Sequence, residues 1–126
     1  MTYNLKNKNS LLLASSSPRR ISLLSDTRIE FTVVSPDSSV EEGFPKVGSP
    51  KEVAMQIAKA KALSILQTFP ESIVLAADTI VVKDKKILGK PKDSEDAFEM
   101  INSLSGRRHL VITGFAVMSS KVEKVE

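Results

Sequence analysis

The 126-residue sequence has no cysteine, no tryptophan and a single histidine. Without cysteine, neither a disulfide framework nor a thiolate metal site can form, which fits a reducing compartment. Aromatic residues make up only 5% of the chain, which argues against a surface that stacks nucleic-acid bases. The polar N-terminus is followed by an apolar run that is too short for a signal peptide or a membrane span. The sequence therefore predicts a soluble cytoplasmic protein.

Composition predicts one globular domain, residues 1–126, because 41% of the residues are apolar and 26% are charged. The net charge of +3 permits an anionic partner but does not choose among nucleic acid, nucleotide and no anion at all. The positive charges are scattered rather than arranged in a stripe. This pattern disfavours a nucleic-acid-binding module.

Hydrophobic periodicity predicts strands that alternate with helices, and therefore an α/β fold. We expect strands at 10–14, 31–35, 72–82, 87–88 and 109–118, and helices at 18–25, 50–67 and 94–104. The last strand is apolar, and only KVEKVE follows it. Two interpretations are open: the chain is a fragment, or it completes its core with a partner, as a homodimer would.

The stretch ASSSPRR, residues 14–20, joins the first strand to the first helix. A helix N-terminus favours a bound anion, and Ser15 and Ser17 can add hydroxyl donors. Arg19 and Arg20 lie in the first turn, where the helix dipole disfavours cations unless an anion is close by. Two arginines can grip phosphate oxygens. The spacing alone does not choose between a phosphate site and a capped surface helix with solvated arginines.

Other charged residues carry weaker signals. Asp78 and Thr79 break the predicted strand 72–82, so Asp78 stands at the end of a buried-looking run. There it can hold a divalent metal or activate water, although an Asx turn is the commoner role. Lys90 lies between two turn formers, Lys61 lies on the second helix, and Glu41 and Glu42 lie in a loop. For each of these four, a solvated charge is the commoner explanation. Taken with the arginines, however, they supply what a metal-bound polyphosphate requires.

Four motifs, LASSSPRR, AADT, GKP and LSGRRHLVIT, occur in the order and approximate spacing of the Maf family. The chain resembles about the first two-thirds of these nucleoside triphosphate pyrophosphatases, which are also described as septum formation inhibitors. The resemblance implies hydrolysis of a nucleoside triphosphate to the monophosphate and pyrophosphate, with a divalent metal such as Mg or Mn. It also implies a mixed, twisted sheet flanked by helices, with an elongated cleft and an incomplete C-terminal lobe.

The resemblance also implies roles for individual residues. Asp78 matches the catalytic proton acceptor, and either Glu41 or Glu42 would join it at the metal. Arg19 and Thr79 match the branch that acts on dTTP and UTP. The substrate-binding positions are Ser15, Ser17, Arg20, Lys61 and Lys90. A family segment that carries a glutamine is absent from the sequence, so a non-catalytic nucleotide-binding protein of the same fold is the alternative.

Overall fold

The computed structural model describes residues 10–37, 40, 47–88 and 93–126. In chain order the elements are β1 Leu11–Ala14, α1 Pro18–Ser25, β2 Thr32–Val34, α2 Pro50–Thr68, β3 Ile73–Lys83, β4 Lys86–Leu88, α3 Ser94–Leu104, β5 Leu110–Met118 and β6 Glu123–Val125. Each predicted strand and helix is present, with its bounds shifted by at most one residue. The predicted α/β class is confirmed.

Local sequence explains where the first two helices begin. Ser17 caps α1 by accepting a hydrogen bond from the backbone N–H of Arg20, and Ser49 caps α2 in the same way through Glu52. In both helices a proline follows the cap, where its missing N–H costs nothing because the first turn lacks acceptors. These contacts fix the direction in which each helix leaves its loop.

The strands form one mixed sheet in the order β2-β1-β3-β5-β6, and β4 also pairs with β3. Strand β1 is parallel to β2 and β3, whereas all the other pairs are antiparallel. Parallel strands require a long crossover, and α1 and α2 lie in the two connections that supply it. The predicted mixed sheet with flanking helices is therefore confirmed.

Strand β3 has two unlike edges. Along one edge, β5 pairs with it continuously from Val74 to Val82. Along the other, β1 pairs with residues 73–76 and β4 with residues 81–83. No described strand pairs with residues 77–80 on that edge, which we call the window. Asp78 and Thr79 lie in it.

Helix α2 covers one face of the sheet and forms the core there. Side chains of β3 alternate between the faces, so its even-numbered residues point towards α2 and are buried. The main cluster contains Leu12, Ala14, Ala58, Ala62, Ile65, Val74, Ala76, Ala116 and Met118. Small residues dominate the list, which lets the helix approach the sheet closely. We call this the covered face and the opposite one the open face.

The segment that follows the last long strand adds a strand that the sequence did not predict. Residues 123–125 of the KVEKVE segment form β6, which pairs with residues 116–118 of β5. The last long strand therefore has a neighbour along that part of its outer edge. Strand β6 contains a single apolar residue, Val125, which is too little to indicate a strand in the sequence. Among the described helices, none combines the length and apolar character needed to cross a membrane.

Candidate active site

Asp78 lies in the middle of β3 rather than at a strand end, which corrects the sequence expectation. The strand continues without a break through Asp78 and Thr79, because both residues pair with β5. An Asx turn is thereby ruled out as its role. The side chain belongs to the covered face and Asp78 is only 3% exposed. Strand β1, however, ends just before it, so Asp78 does lie beside the window.

Lys61 reaches Asp78 from α2. Its Nζ lies 3.2 Å from Asp78 Oδ1 and 3.4 Å from the backbone oxygen of Ala77. Lys61 is buried, so the sequence expectation of a solvated lysine was wrong at this position. Lys59, two residues away on another side of the helix, is partly exposed and pairs with Glu123 at 2.8 Å. Burial of a charge requires compensation, and the carboxylate of Asp78 provides it.

Arg20 reaches the same point from α1. Its Nη1 donates to the backbone oxygen of Ala77 at 3.1 Å, and its Nη2 donates to Thr79 Oγ1 at 2.9 Å. Ala77 O therefore accepts hydrogen bonds from both Arg20 and Lys61. Two full positive charges that come from different helices meet at one carbonyl in the window. The position of the arginine behind the first strand thus has a structural reason.

The two charges are tied to opposite faces of β3. Asp78 points to the covered face and holds Lys61, whereas exposed Thr79 points to the open face and holds Arg20. Successive side chains of a strand point to opposite faces, so Asp78 and Thr79 necessarily lie on different faces of the sheet. The site therefore surrounds the window edge of the strand instead of lying on a single surface.

The serines hold the turn that delivers Arg20. Ser15 is buried, and its Oγ accepts a hydrogen bond from the backbone N–H of Ser17 at 3.0 Å. Ser17 Oγ accepts in turn from the backbone N–H of Arg20 at 3.4 Å. Arg19 is exposed on the first turn of α1. The hydrogen bonds thus connect Ser15, Ser17, Arg20, Lys61, Asp78 and Thr79, while Arg19 lies at the rim.

The remaining predicted site residues, Glu41, Glu42 and Lys90, lie outside the described residues. Within the described ranges, no three histidine, aspartate or glutamate side chains group together as metal ligands would. Of the carboxylates in the described ranges, Asp78 is the one in contact with Lys61.

Two residues on β5 belong to the site and were not singled out from the sequence. Thr113 lies opposite Thr79 and Gly114 lies opposite Asp78. A Cβ added to Gly114 would stand 2.7 Å from backbone atoms of Ala54 and Met55 in α2, so only glycine permits this helix position. The available signal was the glycine inside an apolar strand, which marks a close backbone approach.

A family model described as Maf-like protein matches residues 10–126. The chain belongs to this family. The resemblance carried by the four sequence motifs is thereby confirmed.

Three curated relatives carry the name dTTP/UTP pyrophosphatase. The chain is 48% identical to the Pyrococcus furiosus protein over 109 residues, which cover 86% of this chain and 56% of the relative. It is 49% identical to the Bacillus cytotoxicus protein over 110 residues, 87% of this chain and 56% of the relative. It is 45% identical to the Geotalea uraniireducens protein over 118 residues, which cover 94% of this chain and 60% of the relative. The chain thus spans less than two-thirds of each of these Maf-like relatives.

Two solved structures share the fold. The Staphylococcus aureus Ham1 protein matches with a TM-score of 0.59 at 18% identity, over 93% of this chain and 67% of that one. The nucleoside-triphosphatase / dITP/XTP pyrophosphatase of Mycobacterium abscessus matches with a TM-score of 0.54 at 18% identity, over 93% and 70%. At this identity the likeness concerns the architecture of the Maf-like chain alone.

Proposed function

We propose that this Maf-like protein is a nucleoside triphosphate pyrophosphatase that acts on dTTP and UTP. The observation that carries the proposal is the meeting of Arg20 and Lys61 at Ala77 O, beside the buried carboxylate of Asp78. Convergent cations suit the phosphates, and a fixed carboxylate suits the attacking water. The names of the curated relatives support the same reaction and the same nucleotides.

In the proposed reaction, water attacks the α-phosphorus, and the bond between the α- and β-phosphates breaks to release pyrophosphate. Asp78 accepts the proton of that water. Lys61 orients Asp78 through its contact with Oδ1. The guanidinium of Arg20 offers a planar pair of donors to phosphate oxygens, for which arginine is well suited. Ser15 and Ser17 keep the turn before α1 in place, and Lys90 is proposed as a further phosphate ligand.

A divalent cation, Mg or Mn, belongs to this proposal. Asp78 alone does not form a metal cage, but magnesium sites commonly combine one or two carboxylates with substrate phosphates. The donor set therefore fits a cation that arrives with the triphosphate and is held by Asp78 with Glu41 or Glu42. Such a cation, when bound, neutralises charge on the phosphates.

The preference for dTTP and UTP is assigned to Thr79 and Arg19. Thr79 lies on the open face beside Arg20, and Arg19 lies on the exposed side of the same turn. Both can therefore be reached by a nucleotide whose phosphates lie at the window. The substrate and its cation are the partners proposed here, within the cytoplasm and without a role for nucleic acid.

Pyrophosphate release measured with each triphosphate in turn tests the proposal. The longest product of the gene is incubated with dTTP, UTP, dATP, dGTP and dCTP in the presence of magnesium. We expect release from dTTP and UTP well above the other three. Calorimetric binding of dTTP without release would instead support the non-catalytic nucleotide-binding alternative. Equal release from all five would remove the assigned base preference.

A further inference from the structure

Thr113 is directly opposite Thr79, and the two hydroxyl oxygens are 2.9 Å apart. On the other edge of β5, Phe115 exchanges both of its backbone hydrogen bonds with Glu126. Backbone groups alternate in direction along a strand, so Gly114 bonds towards β3, whereas Thr113 and Thr79 form a non-hydrogen-bonded pair. In such pairs the side chains approach each other most closely. The backbone register therefore brings the two hydroxyls together.

The chemistry of the donors fixes part of the hydrogen bonding between Arg20, Thr79 and Thr113. A guanidinium only donates, so Thr79 Oγ1 accepts from Arg20 Nη2. Thr79 then either donates its own hydrogen to Thr113 or accepts a second one from it. In both cases the Thr79 oxygen is held from two sides. Arg20 consequently has two fixed acceptors for its fork, Ala77 O and Thr79 Oγ1.

We propose that Thr113 is a positioning residue that holds the Arg20 guanidinium at the window through Thr79. On the covered face, Lys61 contacts Asp78 and Ala77, and neither contact involves Thr113. The effect of Thr113 on phosphate binding rests on the proposed function, but its effect on Arg20 does not. Loss of the Thr113 hydroxyl leaves Thr79 Oγ1 held from one side only and so loosens the Arg20 guanidinium at Nη2, while the Lys61–Asp78 pair is unchanged.

The matched variants are Thr113→Val, which keeps the β-branched shape and removes the hydroxyl, and Thr113→Ser, which restores it. Thr32→Val makes the same change on edge strand β2 and serves as the control. The first readout, which needs no nucleotide, is the NMR spectrum of the Arg20 guanidinium. We expect slow rotation about its Nε–Cζ bond in the unchanged chain, in Thr113→Ser and in Thr32→Val, and fast rotation in Thr113→Val.

The second readout is triphosphate hydrolysis. We expect Thr113→Val to raise KM for dTTP by about three- to tenfold, the effect of one lost hydrogen bond, while kcat changes less than twofold. Thr113→Ser restores KM. If Thr113→Val fails to fold, Thr113→Ala removes the same hydroxyl and carries the same expectations.

The outcomes separate this inference from the proposed function. Unchanged Arg20 rotation in a folded Thr113→Val variant overturns the positioning role, whatever the activity. If Arg20 responds as expected and the unaltered protein neither binds nor hydrolyses any triphosphate, the proposed function fails and the positioning of Arg20 stands. A fall in kcat with KM unchanged also contradicts the inference, because it would place Thr113 in the chemical step.

Discussion

The two faces of the sheet differ sharply in how they are occupied. On the covered face, Val74, Ala76 and Ala116 are completely inaccessible beneath α2. On the open face, Val111 is 63% exposed and Phe115 is 37% exposed, although both lie on β5, the strand that also carries Ala116. One strand pair therefore presents a dry, closely packed surface on one side and an accessible one on the other.

This contrast explains why adjacent residues have different properties. Asp78 shares its surroundings with core side chains, so its position is fixed by packing and by Lys61. Thr79 and Arg20 are accessible, so hydrogen bonds rather than packing must fix them. Rigid placement suits a carboxylate that takes a proton, and access suits groups that meet phosphates and a base.

The largest expected effect comes from the covered face, at Asp78. Asp78→Asn should lower the rate of pyrophosphate release by about a hundred- to ten-thousand-fold, because it removes the proposed proton acceptor. Asparagine keeps an oxygen for Lys61 but no longer balances its buried charge, so we expect the variant to fold with reduced stability. Asp84→Asn is the control, since Asp84 is exposed in a turn at φ 51°, a conformation that asparagine tolerates. Near-normal release by Asp78→Asn would exclude the role.

The next effect concerns the open face. Arg20→Ala should weaken dTTP binding by roughly 10- to 100-fold, because hydrogen bonds from a charged donor are stronger than neutral ones. Lys85→Ala and Lys86→Ala also remove one positive charge each, from exposed positions of the β3–β4 hairpin, and should change binding only slightly. Calorimetric titration measures all three variants. Equal losses would indicate a diffuse charge effect and no localised site.

A third prediction concerns packing beneath α2. Gly114→Ala should lower the free energy of unfolding by about 1–3 kcal/mol, because the new methyl group would overlap the helix backbone. Val111→Thr, on the open side of the same strand, should change it by less than about 0.5 kcal/mol. Urea unfolding compares the two variants. A Gly114→Ala protein as stable as the original would mean that α2 can move away from the sheet freely.

The smallest effect concerns association through the open face. Val111 and Phe115 both expose apolar side chains on the open face, so we expect the chain to self-associate as its concentration rises. Val111→Lys should shift this association to several-fold higher concentration without altering the fold. Sedimentation velocity over a range of concentrations measures the shift. A chain that stays monomeric throughout contradicts the prediction.

Local signals were sufficient to predict most of the fold. Serine caps with a following proline located the first two helices, and apolar runs located the long strands. The position of Asp78 within β3 could not be read in this way, since it depends on continuous pairing with β5. The short strand β6 likewise exists because β5 offers it an edge.

The site was predicted as a set of residues rather than as an arrangement. The motifs indicated Arg20, Asp78 and Thr79, and the family resemblance added Lys61. The contact that Arg20 and Lys61 share at Ala77 O involves a backbone atom that no side-chain pattern reveals. Lys61 and Lys59 look alike in the sequence, and only the seating of α2 on the sheet distinguishes them. The position of α2 on the sheet depends on Gly114, because any side chain there would overlap the backbone of the helix.

The split edge of β3 also has a consequence for the order of folding. Pairing of β3 with β4 joins residues that are close in the chain, whereas pairing with β1 closes a long loop, as the contact between Ser10 and Ser72 shows with its separation of 62 residues. Contacts that close long loops carry a larger entropic cost and tend to form late. Arg20 reaches the window with β1, so we expect the two cations to meet only after the hairpin of β3 and β4 has formed. The site is then among the last parts of the molecule to assemble and among the first to be lost when β1 separates.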